Sequence, residues 1–134
     1  AMVDGTVPAP PIAYLMNMGA TEVNDGRAVF TGTPGAQHFN PLGTVHGGFA
    51  STLLDSALGC AVHTTLPQGM IYSTAQLNIN LTRAIMPAVG VLVCEGNVIH
   101  RGRRMVTAEA TLTGQADGKL YAHATTTCFV HEMG

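Results

Sequence analysis

Residues 46–63 read His46-Gly47-Gly48-Phe49-Ala50-Ser51-Thr52-Leu53-Leu54-Asp55-Ser56-Ala57-Leu58-Gly59-Cys60-Ala61-Val62-His63. Phe49, Leu53, Ala57 and Cys60 recur at i, i+4, i+8 and i+11, the signature of one helical face. Leu54, Leu58 and Val62 widen that face past half the circumference. The spacing therefore predicts a helix from Gly47 to about His63, buried on most sides. Asp55 falls at the border of the apolar arc, beside Thr52, Ser56 and Gly59. It is the one formally charged residue between Arg27 and Arg83. A carboxylate is expensive to bury without partners, so this one is either paired for stability or kept for chemistry. The small residues beside it leave room for a ligand or a partner helix.

Outward from the helix, the chain reads mostly as strands. Leu66-Pro67-Gln68-Gly69 closes the helix. Ala75, Leu77, Ile79 and Leu81 then alternate with Thr74, Gln76, Asn78 and Asn80, a half-buried strand by its period of two. Pro87 interrupts it. Val89–Ile99, Met105–Thr113 and Leu120–His131 are three further strands, the last two joined at Asp117-Gly118. Before the helix, Asn24-Asp25-Gly26 marks a hairpin turn within Glu22–Thr33. Ile12–Met18 reads as a short helix stopped by Gly19, and Pro34–His46 as an irregular loop. Residues 1–11, with Pro8, Pro10 and Pro11, read as a flexible arm. This order, a strand pair, one buried helix and four more strands, is α+β with one antiparallel sheet against one dominant helix. A curved sheet wrapped around a single apolar helix is the hotdog arrangement.

The 134 residues fit one compact domain spanning 1–134. Hydrophobic residues make up 46% of the chain and charged residues only 10%, against about 25% charged in an ordinary soluble domain. So little charge predicts that part of the exterior is covered by another copy, a homo-oligomer. The net charge of −2 gives no sign of a nucleic-acid partner. No apolar run approaches the roughly 18 residues of a membrane span. Cys60, Cys94 and Cys128 are widely spaced in apolar surroundings, and read as buried thiols in a reducing cytoplasm. The six histidines are scattered without a pair at helical ligand spacing, so no metal site is expected.

Asn40-Pro41, His46-Gly47-Gly48, Asp55, Leu77-Asn78-Ile79-Asn80 and Arg101-Gly102-Arg103-Arg104 together resemble the PaaI-type (phenylacetate-pathway) acyl-CoA thioesterases of the hotdog-fold superfamily. The resemblance runs from about Gly19 to Val130. It implies hydrolysis of an acyl-CoA thioester, needing no cofactor, at active sites on a dimer interface, usually within a dimer of dimers. It also implies that Asp55 activates a water or attacks the carbonyl to form an anhydride. The competing role for Asp55 is an ion pair with Arg83 or a backbone cap.

Gly47 stands at the helix start, where N–H groups are unpaired and the macrodipole favours negative charge. It is the candidate oxyanion donor, against a glycine needed only for the turn. Gly48 is grouped with the substrate-binding residues, its smallness serving close packing. His46 is a candidate in the catalytic set, read as positioning more than acid–base. By the resemblance Asn40 holds the carbonyl or the water from across the interface; otherwise it forms an Asx turn before Pro41. The resemblance also implies a hydroxyl that orients the attacking water; register from Leu77-Asn78-Ile79-Asn80 matches it to Thr74, whereas side-chain parity selects Ser73. Arg101, Arg103 and Arg104 are half the basic residues, and arginine forks suit the phosphates of a nucleotide carrier; the alternative is a solvated turn. The related 4-hydroxybenzoyl-CoA branch carries Glu at the carboxylate position with Thr one turn later. Asp55 followed by Gly59 disfavours it.

Two other functions are compatible with this fold. A hydratase or dehydratase of β-hydroxyacyl thioesters would make His46 the essential base. A non-catalytic acyl-CoA-binding module would need a regulatory segment beyond the short N-terminal arm. The acyl group is not specified beyond aromatic or short-to-medium chain.

Overall fold

The computed structural model describes residues 8–133. A short helix α1 (Pro11–Leu15) leads into the hairpin β1 (Met18–Asn24) and β2 (Arg27–Gly32). The long helix α2 spans Gly47–His63, and four strands follow: β3 (Met70–Leu81), β4 (Leu92–Arg101), β5 (Met105–Gly114) and β6 (Leu120–Glu132). All pairings are antiparallel, in the order β1-β2-β4-β5-β6-β3. The six strands curve around α2, and each of them contacts it. This is the hotdog fold expected from the sequence.

α2 is buried because it is apolar nearly all round. Leu53, Leu54, Leu58 and Val62 have no exposed surface, and each such side chain contributes roughly 1.5–3 kcal/mol on leaving water. Close approach to the sheet needs small residues on both partners. Ala50, Ala57 and Ala61 are fully buried on the helix. Gly96 faces them from β4, where a Cβ would lie 2.8 Å from the Ala57 carbonyl oxygen. That contact is with backbone, which cannot swing aside. β4 is therefore pinned to the helix by the absence of a side chain at 96.

Several boundaries differ from the sequence reading. The first helix ends at Leu15, not Met18, and Gly19 lies inside β1. Asn17 makes the sharp reversal between them with a φ of 49°, a conformation asparagine tolerates well. Of the expected arm, residues 1–7 lie outside the described residues, and Pro11 already opens α1. The 34–46 loop holds one 3-10 turn, Ala36–His38. There the buried His38 accepts from Gly35 N–H through Nδ1 and bonds the Leu15 carbonyl through Nε2, each at 2.9 Å. β4 starts at Leu92, three residues later than expected.

The most consequential difference is in β3. Thr74 pairs with Cys128 and Gln76 with Thr127, leaving Ala75 as an extra residue in a β-bulge. A bulge shifts side-chain parity by one. Strict alternation through Ala75 was therefore the wrong reading.

Replacing Gly96 with alanine is expected to cost about 1–3 kcal/mol by overpacking. Gly19→Ala, where a Cβ meets nothing within 4 Å, is expected to cost nothing. Urea unfolding midpoints of the two variants check the contrast.

Candidate active site

The start of α2 is built by His46. Its backbone is extended (φ −63°, ψ 138°), and its Nδ1 accepts the Gly48 N–H at 2.7 Å. This is an N-cap made by an imidazole. Gly48 permits it, since a Cβ there would sit 2.9 Å from that same nitrogen. With Gly48 N–H occupied, Gly47 N–H has no acceptor among the described residues. It points out of the helix start, where the dipole favours negative charge. Ser51 and Thr52 donate back to the carbonyls of Gly47 and Gly48 at 2.8 Å each.

Asp55 lies two turns further on, half-buried at the gap between the two edges of the sheet. Thr74 donates its hydroxyl to Asp55 Oδ1 at 3.3 Å. The Ala75 bulge makes this contact possible, because it turns Thr74 to the inner face shared by Cys128, Thr126 and Leu77. Ser73 points the other way and meets His131 Nε2 at 2.7 Å. Among the described residues Asp55 has no ion pair. Arg83, the suggested partner, instead lies where its charge acts on Asp117 and Tyr121. The one carboxylate of this region is left un-neutralised.

Asn40 and Gly47 line a second recess with Leu81 and Arg83. The Asn40 side chain organises its own loop. Its Oδ1 accepts from Leu42 and Thr44 N–H at 2.9 and 3.2 Å, and Nδ2 donates to Thr44 Oγ1 at 2.8 Å. One Nδ2 hydrogen is left over for another acceptor. This recess and Asp55 are not one site within a chain. Eight helical residues separate Gly47 from Asp55, about 12 Å along the axis.

The three arginines sit at the β4–β5 junction. Arg101 is tied to the turn after α2, donating to the carbonyls of Thr65 and Gly102. Arg103 and Arg104 are exposed.

The structure adds one residue that the sequence did not single out. Tyr72, two positions before Thr74, lays its ring over α2 where a Cβ at Gly59 would be 2.8 Å from its Cζ. Burial, and the Asp55 charge after it, push the Tyr72 phenol above its ordinary pKa. The only hint in the sequence was Gly59, a glycine inside a helix with no other reason to be there. Behind Tyr72 lies an apolar pocket of about 280 Å³. Of the three thiols, Cys94 is pushed up to about 12 by burial. Cys60 is the half-buried one and lines that pocket.

The family model of the thioesterase superfamily matches residues 42–121. Acyl-coenzyme A thioesterase 13 of Mus musculus is 32% identical over 87 residues, covering 64% of this chain and 60% of the relative. The matched segments span 49% and 60% of the lengths of the curated relatives. A phenylacetic acid degradation-related protein of Ralstonia eutropha superimposes with a TM-score of 0.85 at 30% identity, covering 96% of each chain. A hypothetical thioesterase of Streptococcus pneumoniae, solved with coenzyme A, gives 0.77 at 30% identity over 87% of each chain. No helix of the described residues is long and apolar enough to cross a membrane.

If the imidazole serves as a cap, His46→Ala lowers stability by about 0.5–2 kcal/mol, and His46→Asn restores most of it. Thermal unfolding of both variants reads this directly.

Proposed function

This chain belongs to the thioesterase superfamily, and from that premise we propose that it hydrolyses acyl-CoA thioesters with Asp55 as base or nucleophile. The observation that carries the reading is the Asp55–Thr74 pair: a carboxylate held by a hydroxyl at 3.3 Å, with no cation paired to it among the described residues. Oδ1 takes the Thr74 proton bond, and Oδ2 is left to act. As a base, Asp55 takes a proton from water, whose oxygen bonds to the carbonyl carbon. The carbonyl oxygen gathers negative charge and is met by the Gly47 N–H. Collapse breaks the C–S bond, releasing coenzyme A as the thiol once it regains the proton, and the free acid. As a nucleophile, the same oxygen adds to the carbonyl carbon, and the C–S bond breaks to release the coenzyme A thiolate and leave an anhydride. Water then cleaves the anhydride to the free acid and the regenerated Asp55 carboxylate, its proton passing to the thiolate. Thr74 orients the carboxylate and the attacking water. Arg103 and Arg104 receive the carrier's phosphates, with Arg101 holding their strand to the helix end.

The 12 Å between Gly47 and Asp55 argues for two chains per site. β3 is a sheet edge of 12 residues, Met70–Leu81, with neither a charge nor a proline to blunt it. Such an edge invites pairing. A two-fold partner added there sets Asn40 and Gly47 of one chain against Asp55 and Thr74 of the other. The chain then works as a dimer, and a dimer of dimers would further cover its charge-poor surface. Coenzyme A thioesters and unpaired thiols both suit a cytoplasmic setting.

The hydratase reading fares less well, because His46 already commits Nδ1 to the cap. Asp55→Asn is expected to lower kcat for thioester hydrolysis by about 10²–10⁴-fold, and Thr74→Ala by roughly ten- to hundredfold. His46→Ala should cost far less than Asp55→Asn. Thiol release from an acyl-CoA panel measures all three, and the reverse ranking would favour the hydratase. Mixing refolded Asp55→Asn and Asn40→Ala chains should recover activity that neither has alone, since a mixed dimer holds one intact site. Absence of recovery would mean that each chain carries its own complete site.

A further inference from the structure

The apolar pocket behind Tyr72 opens along the same strip of α2 that carries Asp55. Ser56, the next residue, Cys60 and His63 form its helical wall; Ile12 and Ala13 of α1 and Phe30 of β2 form the opposite side. Tyr72 stands between this pocket and Thr74. We propose that the acyl group of the substrate is seated here, and that Cys60 and Tyr72 set the size accepted. The inference rests on the thioesterase reading and adds to it the substrate class and two specificity-determining residues.

The dimensions select the class. At about 30 Å³ for each water-sized group, a pocket of about 280 Å³ holds some nine heavy atoms. It lies at the lower end of ordinary ligand sites, roughly 300–1,000 Å³. A phenyl ring on a one-carbon arm fits, as does a chain of about six to eight carbons. Most of the lining is apolar or aromatic, with Ser56, His63 and the Tyr72 hydroxyl as its polar groups, so an apolar acyl group is favoured over one ending in a carboxylate, which would lose its hydration there. Gly59 matters for the same reason. It lets the Tyr72 ring come against the helix, where the ring forms one wall of the pocket. Burial raises the Cys60 thiol above its usual pKa, so it acts as apolar wall.

The test combines kinetics with labelling. Specificity constants for acetyl-, hexanoyl-, phenylacetyl- and dodecanoyl-CoA are measured on wild type and on Cys60→Phe and Tyr72→Ala. Cys60→Phe is expected to lower the phenylacetyl-to-acetyl ratio by about tenfold or more. Tyr72→Ala is expected to raise the dodecanoyl-to-hexanoyl ratio. Ratios that do not move, in variants that still hydrolyse thioesters, overturn the pocket assignment and leave the thioesterase reading standing. Alkylation of Cys60 by iodoacetamide, read by peptide mass spectrometry on unmodified protein, needs neither a stable variant nor turnover. Phenylacetate should slow it several-fold while succinate should not. If no acyl-CoA is cleaved yet phenylacetate protects Cys60, the pocket stands and the catalytic reading falls. If phenylacetate gives no protection, or Cys60 does not react at all because the pocket is filled, the assignment is wrong.

Discussion

The structure depends on how closely α2 can approach the sheet. Ala50, Ala57 and Ala61 on the helix, with Gly96 beneath Ala57, let the backbones come nearly into contact. Leucines flanking that contact fill the space on either side and supply most of the apolar burial. Once the sheet has wrapped the helix from β1 round to β3, one strip of α2 stays uncovered between the two edges. Asp55 is on that strip. The packing that makes the core so apolar thus also presents its one carboxylate at the surface of the groove, which avoids the cost of burying it.

Two local devices then equip the groove. The Ala75 bulge rotates Thr74 toward Asp55 and sends Ser73 toward His131. The His46 cap occupies Gly48 N–H and leaves Gly47 N–H without an acceptor among the described residues, at the positive end of the helix. The two lie on different turns of α2, too far apart to act on one carbonyl. A rigid helix cannot shorten that distance, and this is the physical reason for proposing a reaction shared between chains. Charge is distributed to match. Arg27 is matched to Glu22 and Glu95 at 3.5 and 3.0 Å on the outer side of the sheet, holding the Glu95 carboxyl below its usual pKa range. Asp55 receives no such partner among the described residues.

The helix was legible because its apolar period is long and nearly unbroken, and a 17-residue amphipathic pattern has few alternative readings. Each strand after it was legible from alternation and turn residues, with errors at the ends and at the Ala75 bulge inside β3. β4 began late because Val89 and Val91 are apolar without belonging to the sheet. The short first helix was overextended because nothing local marks Asn17 as the residue that turns left-handed. His38 escaped notice because its burial comes from Phe49, a ring centroid 4.6 Å away, across the start of α2.

The amino-acid order by itself determined the fold class, the isolation of Asp55 and the glycines at the helix start, since these follow from periodicity and composition. Which hydroxyl faces Asp55 was decided only by the tertiary structure. A bulge depends on how β3 pairs with β6, and no period within β3 reveals it. The same holds for Tyr72 over Gly59 and for the pocket behind it, which exist only where α1, β2 and β3 converge on the helix. Local sequence sets which residues share a face; contacts between distant segments set what that face meets.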